Sequence, residues 1–299
     1  MGAVEVGYWS KDGHHSFLQP NPILLENGLL RIYGGVRDSK GVSRIHYVEC
    51  DPKDPSKILN FSKDCVLDIG LPGNFDDNGV VPTIVRMVSK NEIWMYFAGY
   101  QIPKNVKFLA FGGLAISKDG GETFTRFQSN PVMDRENGEE FFRVPHSMMF
   151  SSDRNIWQVW YGGGNSFIQQ EGKSSPSYDI RYCESLDGVV FPPGKIVLTF
   201  VDVDETRIGR PFVIKSDNQF EMYFARYTAK ETFRLTRAFS TDGIKWERDD
   251  SNIFLGEVDS QYDSKMASYP SIYQHENTEY LIYNGNDYGQ TGYCWAIRQ

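Results

Sequence analysis

Glu92-Ile93-Trp94-Met95-Tyr96-Phe97-Ala98-Gly99, answered by Phe111-Gly112-Gly113-Leu114-Ala115-Ile116-Ser117-Lys118-Asp119-Gly120, is the stretch that decides the fold. Both segments are short, rich in aromatic and branched residues and bounded by turn residues, as strands are. The second ends in Ser-x-Asp-Gly. There Asp bonds nearby amides and Gly takes the positive φ that a tight hairpin needs. Working outward, Val80-Val81-Pro82-Thr83-Ile84-Val85 reads as a strand before this pair, and Thr123-Phe124-Thr125-Arg126-Phe127 opens one after it.

The same order returns twice. One copy runs from Val144-Pro145-His146 through Trp157-Gln158-Val159-Trp160-Tyr161-Gly162 to Ser185-Leu186-Asp187-Gly188. Another runs from Arg210-Pro211-Phe212 through Phe220-Glu221-Met222-Tyr223-Phe224 to Ser240-Thr241-Asp242-Gly243 and Trp246-Glu247-Arg248. Weaker copies flank them. Pro22-Ile23-Leu24-Leu25, Leu29 to Gly35 and Arg44 to Val48 form a first. Tyr269 to Tyr273, Glu279 to Gly285 and Gly292 to Ile297 form a last, which stops a strand short. Four strands per repeat is the pattern of a propeller blade. The expected fold is therefore all-β: a five-bladed β-propeller with four antiparallel strands per blade, forming one domain over residues 1–299. The spare segment Val4-Glu5-Val6-Gly7-Tyr8-Trp9 supplies the missing strand and closes the ring, leaving no edge at the seam. Because the Ser-x-Asp-Gly element repeats, Asp119, Asp187 and Asp242 read as turn-formers; an active site is needed only once.

The formal net charge of −8 argues against nucleic acid or anionic lipid as main partner. The aromatic share of 14% suits strands and also supplies faces on which sugar rings stack. No apolar run approaches a membrane span, and Met1-Gly2-Ala3-Val4-Glu5-Val6 lacks the basic and apolar regions of a signal peptide. Cys50, Cys65, Cys183 and Cys294 are scattered and read as reduced thiols, so the expected location is cytoplasmic. Neither a cofactor nor a metal is expected. His14-His15 reads as surface, Asp202-Val203-Asp204 as a solvated loop, and Tyr161-Gly162-Gly163-Gly164-Asn165-Ser166 as a flexible loop.

In a propeller the first strand of each blade lines the channel, and ligands meet its start and the loop after the second strand. Polar residues at those places converge on a polyhydroxylated ligand, which needs many donors and acceptors. Glycosidic cleavage requires two carboxyl groups flanking the bond, one protonated and one ionised. The catalytic candidates are Asp77, Glu205 and Asp263, with Arg37, Asp76, His146, Arg210, Arg226, Asn286 and Tyr288 as the substrate-binding set. The alternative role for these acids is to pair with arginines and brace the channel.

Gly73-Asn74-Phe75-Asp76-Asp77-Asn78-Gly79-Val80-Val81-Pro82, Ile208-Gly209-Arg210-Pro211, Tyr262-Asp263-Ser264-Lys265-Met266 with Tyr269-Pro270, and Tyr283 to Gly292 together carry a family likeness. They resemble bacterial five-bladed propellers found with surface-polysaccharide biosynthesis proteins, and the N-terminal propeller of plant glucosamine inositolphosphorylceramide transferases. More distantly the chain is similar to glycoside hydrolases of the arabinanase, invertase and mannoside phosphorylase types. The resemblance implies a carbohydrate-active protein that acts on or binds a glycan or sugar nucleotide in surface-polysaccharide metabolism. It also implies an alternative, a non-catalytic glycan-binding module that guides a partner glycosyltransferase. Where arabinanase-like enzymes carry an Asp on the first inner strand, this chain reads Gln19-Pro20-Asn21-Pro22.

Overall fold

Alternating apolar residues and Gly/Asp turns make consecutive strands pair with their neighbours, and the computed structural model is built almost entirely this way. It describes residues 2–5, 16–170, 172–228, 232–254 and 261–298. Among these, the strands fall into antiparallel meanders of four. The first is β2 (Leu18–Leu24), β3 (Leu30–Arg37), β4 (Ser43–Asp51) and β5 (Asp54–Phe61). The second is β6 (Val80–Ser89), β7 (Glu92–Gln101), β8 (Leu109–Ser117) and β9 (Thr125–Arg126). The third is β10 (Phe142–Ser151), β11 (Ile156–Gln170), β12 (Lys173–Ser185) and β13 (Lys195–Leu198). The fourth is β14 (Glu205–Ser216), β15 (Gln219–Thr228), β16 (Phe233–Ser240) and β17 (Glu247–Phe254). The last joins β18 (Ser268–His275), β19 (Thr278–Asn284) and β20 (Gly292–Arg298) to β1 (Gly2–Glu5) from the other end of the chain. Short parallel bridges, Phe142 to Ala110 and Tyr178 to Arg207, link the second, third and fourth meanders.

The apolar faces pack between meanders. Tyr33 and Ile45 of the first pack with Met95 and Phe97 of the second. Tyr96 and Leu114 meet Val159 and Tyr161. Trp160 and Ile180 meet Met222 and Phe224, and Ala225 and Leu235 meet Leu281 and Tyr283. The last meander in turn packs Tyr280, Ile282 and Tyr293 against Leu30, Ile32 and Val48 of the first, with Val4 and Phe17 in the same cluster.

A polar latch accompanies each of several contacts. An aromatic side chain on the second strand of one meander donates to the turn carbonyl of the next: Tyr33 to Gly121 at 3.0 Å, Tyr96 to Gly188 at 2.6 Å and Trp160 to Gly243 at 2.8 Å. From the last meander, Tyr280 donates to Lys53 at 3.1 Å and Tyr273 to Pro52 at 3.0 Å, in the third turn of the first. The Ser-x-Asp-Gly turns have the expected chemistry. The Asp187 carboxylate accepts from the amides of Val189 and Val190, and Asp242 from Ile244 and Lys245. Asp119 does the same for Glu122 and Thr123. Gly120, Gly188 and Gly243 sit at φ 76°, 74° and 73°.

Two expectations differ from the structure. The run Gly162-Gly163-Gly164 is strand rather than flexible loop, inside β11. Its glycines admit close neighbours: a Cβ at Gly164 would lie 2.1 Å from the Ser177 carbonyl oxygen, and one at Gly162 would lie 2.6 Å from the Phe142 ring. The first inner strand begins at Leu18, ahead of the expected Pro22, so Gln19 belongs to it. Of the spare N-terminal strand, Val4 and Glu5 pair with Tyr293 and Gly292; Val6 to Trp9 lie outside the described residues, as do Ser10 to Gly13 and His14-His15. All four cysteines are free, and Cys50, Cys183 and Cys294 are buried. No helix of the described residues is long and apolar enough to cross a membrane.

Candidate functional site

All five strands that open a meander carry an X-Pro step near their start: Gln19-Pro20, Val81-Pro82, Val144-Pro145, Arg210-Pro211 and Tyr269-Pro270. Proline lacks the N–H a ladder requires, so pairing breaks there. The register shifts between Leu18 and Asn21, Pro82 and Ile84, Pro145 and Ser147, Gly209 and Phe212, and Ser268 and Ser271. At three of these bulges the residue before proline is left-handed, with Gln19 at φ 53°, Arg210 at 56° and Tyr269 at 58°. Non-glycine residues hold that conformation at a cost of about 1–3 kcal/mol, and such strain clusters at ligand sites.

These three side chains line one pocket of about 290 Å³. Tyr100, Phe108, Tyr178, Phe233, Tyr269 and Tyr288 supply its aromatic faces, and Gln19, Ser43 and Asn78 its neutral polar groups. Its charged lining among the described residues is Arg37, Lys107, Arg207 and Arg210, without a carboxylate. Arg210 lies at the base, 8% exposed. It donates to the hydroxyls of Tyr178 at 3.0 Å and Tyr269 at 3.1 Å, and its guanidinium stands 4.1 Å from the Tyr269 ring centroid and 5.0 Å from that of Phe233. Burial alone would loosen its proton; the neighbouring tyrosines outweigh that and keep it charged. Arg207 lies over the Tyr227 ring at 3.9 Å. A second, water-sized pocket of about 10 Å³ shares Gln19, Arg210 and Tyr269 and reaches His146. Gln19 Nε2 lies 3.2 Å from His146 Nδ1; with the amide donating, the ring proton sits on Nε2, which has no partner among the described residues. Burial, reinforced by the charge of Arg210, pushes His146 far below the usual histidine range, so the ring is neutral.

Of the residues singled out by sequence, Arg37, Arg210 and Tyr288 line the main pocket and His146 the small one beside it. The others lie outside both linings. Asp76 is fully buried and bound to Arg126 at 2.6 Å; burial raises its pKa against the pull of that arginine. Asp77 accepts from the Gly73 amide and from the side chain of Asn78, each at 2.7 Å, and so orients a residue that does line the pocket. Glu205 is gripped by Arg248 through two bonds of 2.9 and 2.8 Å, with Arg226 at 3.9 Å. Asp263 accepts from Tyr283 at 2.6 Å, and its other oxygen is buried with no partner among the described residues. Asn286, after β19, clamps the segment before β18, accepting from the amides of Lys265 and Met266.

Sequence reasoning missed Gln19, Tyr178 and Tyr269 as pocket residues, along with Lys107 in the loop after β7. For Gln19 and Tyr269 the signal was the recurrent X-Pro step; in four of the five strands the residue before proline, Gln19, Val81, Arg210 or Tyr269, lines the pocket.

No family model matches the chain. Uncharacterized protein Rv1502 of Mycobacterium tuberculosis (strain H37Rv) is 29% identical over 294 residues, spanning 97% of this chain and 93% of that protein. Among solved structures, a glycoside hydrolase superposes with a TM-score of 0.77 at 17% identity, over 99% of this chain and 90% of that one. The fold is that of the propeller-type glycoside hydrolases. A thermostable family-43 glycoside hydrolase superposes with a TM-score of 0.69 at 15% identity, over 94% of this chain and 88% of that one. The alpha-L-arabinofuranosidase of Lactobacillus brevis does so with a TM-score of 0.71 at 10% identity, over 99% of this chain and 94% of that one. Identities this low establish a shared architecture, and chemistry must be argued from the site.

Proposed function

We propose that the chain is one closed, five-bladed propeller that holds a saccharide in the pocket at its mouth. Closure is supported by the pairing of β1 with β20 and by the latches from Tyr273 and Tyr280 onto the first meander. The observation that carries the functional reading is the lining: six aromatic rings interleaved with amide, hydroxyl and guanidinium groups around about 290 Å³. Sugars present C–H faces that stack on aromatic rings and hydroxyls that need paired donors and acceptors. The volume sits at the low end of small-ligand pockets, about 300–1,000 Å³, which suits a monosaccharide unit or a glycan terminus. The likeness to glycoside hydrolases supports the same ligand class.

The proposal assigns recognition to Arg37, Arg210 and Tyr288 together with Gln19, Tyr178 and Tyr269. It gives Asp76, Asp77, Glu205, Asp263, Arg226 and Asn286 the task of shaping the walls, because each is tied to a partner within the protein through at least one polar atom and lies outside the lining. The pocket thus recognises a saccharide rather than cleaving a glycosidic bond.

A glycan array followed by titration calorimetry on hits tests this, with Tyr269→Ala and Phe233→Ala as pocket variants and a glycosidase, phosphorylase and transferase panel beside them. The expected result is saturable saccharide binding, weakened at least tenfold in the variants, without turnover. Absence of any saccharide ligand, or variants that bind like the parent, would refute the site. Turnover abolished by Asp77→Asn or Asp263→Asn would replace recognition by catalysis.

A further inference from the structure

Arg210 differs from three other arginines with well-buried side chains, Arg31, Arg143 and Arg248. Arg31 pairs with Glu49 and Glu122, Arg143 with Glu139, Arg248 with Glu205 and Asp250. Even the less buried Arg126 has Asp76. Arg210 is 8% exposed, yet among the described residues no carboxylate lies within ion-pairing distance, and its Nε has no hydrogen-bond partner. A buried charge is costly unless it is paired. Here the protein also keeps Gln19, Arg210 and Tyr269 in left-handed conformations to present this group.

The surroundings reinforce the imbalance. The whole chain carries a formal charge of −8, but the pocket's described lining contains four cations and no acid. Arg37, half-buried at the mouth, likewise has no ion pair within the described residues. Since Tyr178 and Tyr269 accept from Arg210, their own O–H protons are free to donate outward. Burial drives Tyr288 up to about 12 and Tyr100 above the usual tyrosine range, so both rings keep their protons as well. The pocket is thus an array of donors around a buried positive charge.

We infer that the saccharide taken by this pocket is anionic, bearing a carboxylate, phosphate or sulfate whose oxygens accept from Arg210 and the hydroxyls of Tyr178 and Tyr269, with Arg37 at the entrance. The inference rests on the carbohydrate reading above and names the class of sugar within it. Guanidinium groups match planar or trigonal oxyanions, which a neutral hydroxyl does not replace.

The test uses the full chain and matched ligands: several neutral hexoses, their uronates, their 1-phosphates and 6-sulfates, and inorganic phosphate and sulfate alone. Binding is measured by calorimetry at two ionic strengths. The variants are Arg210→Met, which fills the same slot between rings, and Arg37→Gln, with melting temperature as the check on folding. The expected result is that at least one anionic sugar binds tenfold or more above its neutral parent, weakens with salt, and loses that advantage in Arg210→Met. Arg37→Gln is expected to reduce the advantage by a smaller factor and serves alone if Arg210→Met does not fold. Equal binding of neutral and anionic sugars overturns the inference and leaves the carbohydrate reading standing. Inorganic phosphate or sulfate binding as tightly as every sugar overturns the carbohydrate reading. Absence of binding by any ligand overturns both.

Discussion

Replacing Glu205 by glutamine separates the two roles an acid can play here. Its side chain is 1% exposed, and it accepts two bonds from Arg248, at 2.9 and 2.8 Å, and one from the Val201 amide at 3.0 Å. Glutamine keeps the shape but puts an NH₂ where an oxygen faced Arg248 or Val201, setting donor against donor. Breaking one side of a buried pair costs about 3–5 kcal/mol. Asp250 remains 3.0 Å from Arg248 and still offers a carboxylate, which places the cost near the lower bound, about 3 kcal/mol. At about 2.1 cal/mol/K per residue, the unfolding entropy of a 299-residue chain is about 0.6 kcal/mol/K, so the melting temperature should fall by about 5 °C. Calorimetric melting of the parent, Glu205→Gln, Arg248→Met and a double variant Glu205→Met with Arg248→Met measures this. The double variant should recover part of the loss, because an apolar pair replaces an ionic one without leaving a lone charge. A Glu205→Gln protein that melts within about 1 °C of the parent and no longer binds its saccharide would refute the bracing role and restore Glu205 as a ligand-facing acid.

Asp77→Asn should melt near the parent, since Asp77 is only partly buried in a turn, yet weaken saccharide binding severalfold by releasing Asn78; calorimetry on both counts checks it. Gly164→Ala should destabilise the fold by about 3 kcal/mol or more, because the new methyl meets the Ser177 carbonyl and the Tyr178 backbone, both rigid; urea unfolding reads the loss. Val4→Asp places a charge in the cluster of Phe17, Leu30 and Tyr293 and should lower the melting temperature by several degrees or cause aggregation, whereas an unchanged melt would argue against closure by β1. His46, 8% exposed, is pushed down to about 4, first by burial. Above about 6.5 both folded and unfolded forms are neutral and it has no effect on stability. Between about 6.5 and 4 the unfolded chain takes up a proton that the folded one refuses, so about 3 kcal/mol is lost as the pH falls. His46→Gln should flatten that part of the urea-stability profile.

What the sequence by itself determined is what short-range chemistry controls. Strand alternation, Ser-x-Asp-Gly turns and their repetition are properties of adjacent residues, so the all-β meanders and the structural role of Asp119, Asp187 and Asp242 were legible from the chain alone. The X-Pro steps were equally visible, but their consequence was not. A bulge aims a side chain only relative to a sheet, and whether Arg210 meets Tyr178 and Tyr269 depends on how separate meanders pack. The acids show the same limit. Asp76 finds Arg126, fifty residues on, and Glu205 finds Arg248, forty-three on, across segments that come together only on folding. Pairing is a matter of distance in space, because electrostatic attraction and desolvation both act over a few ångströms. Tertiary structure alone therefore decided which charges were neutralised within the protein, and that Arg210 is buried with no carboxylate partner among the described residues.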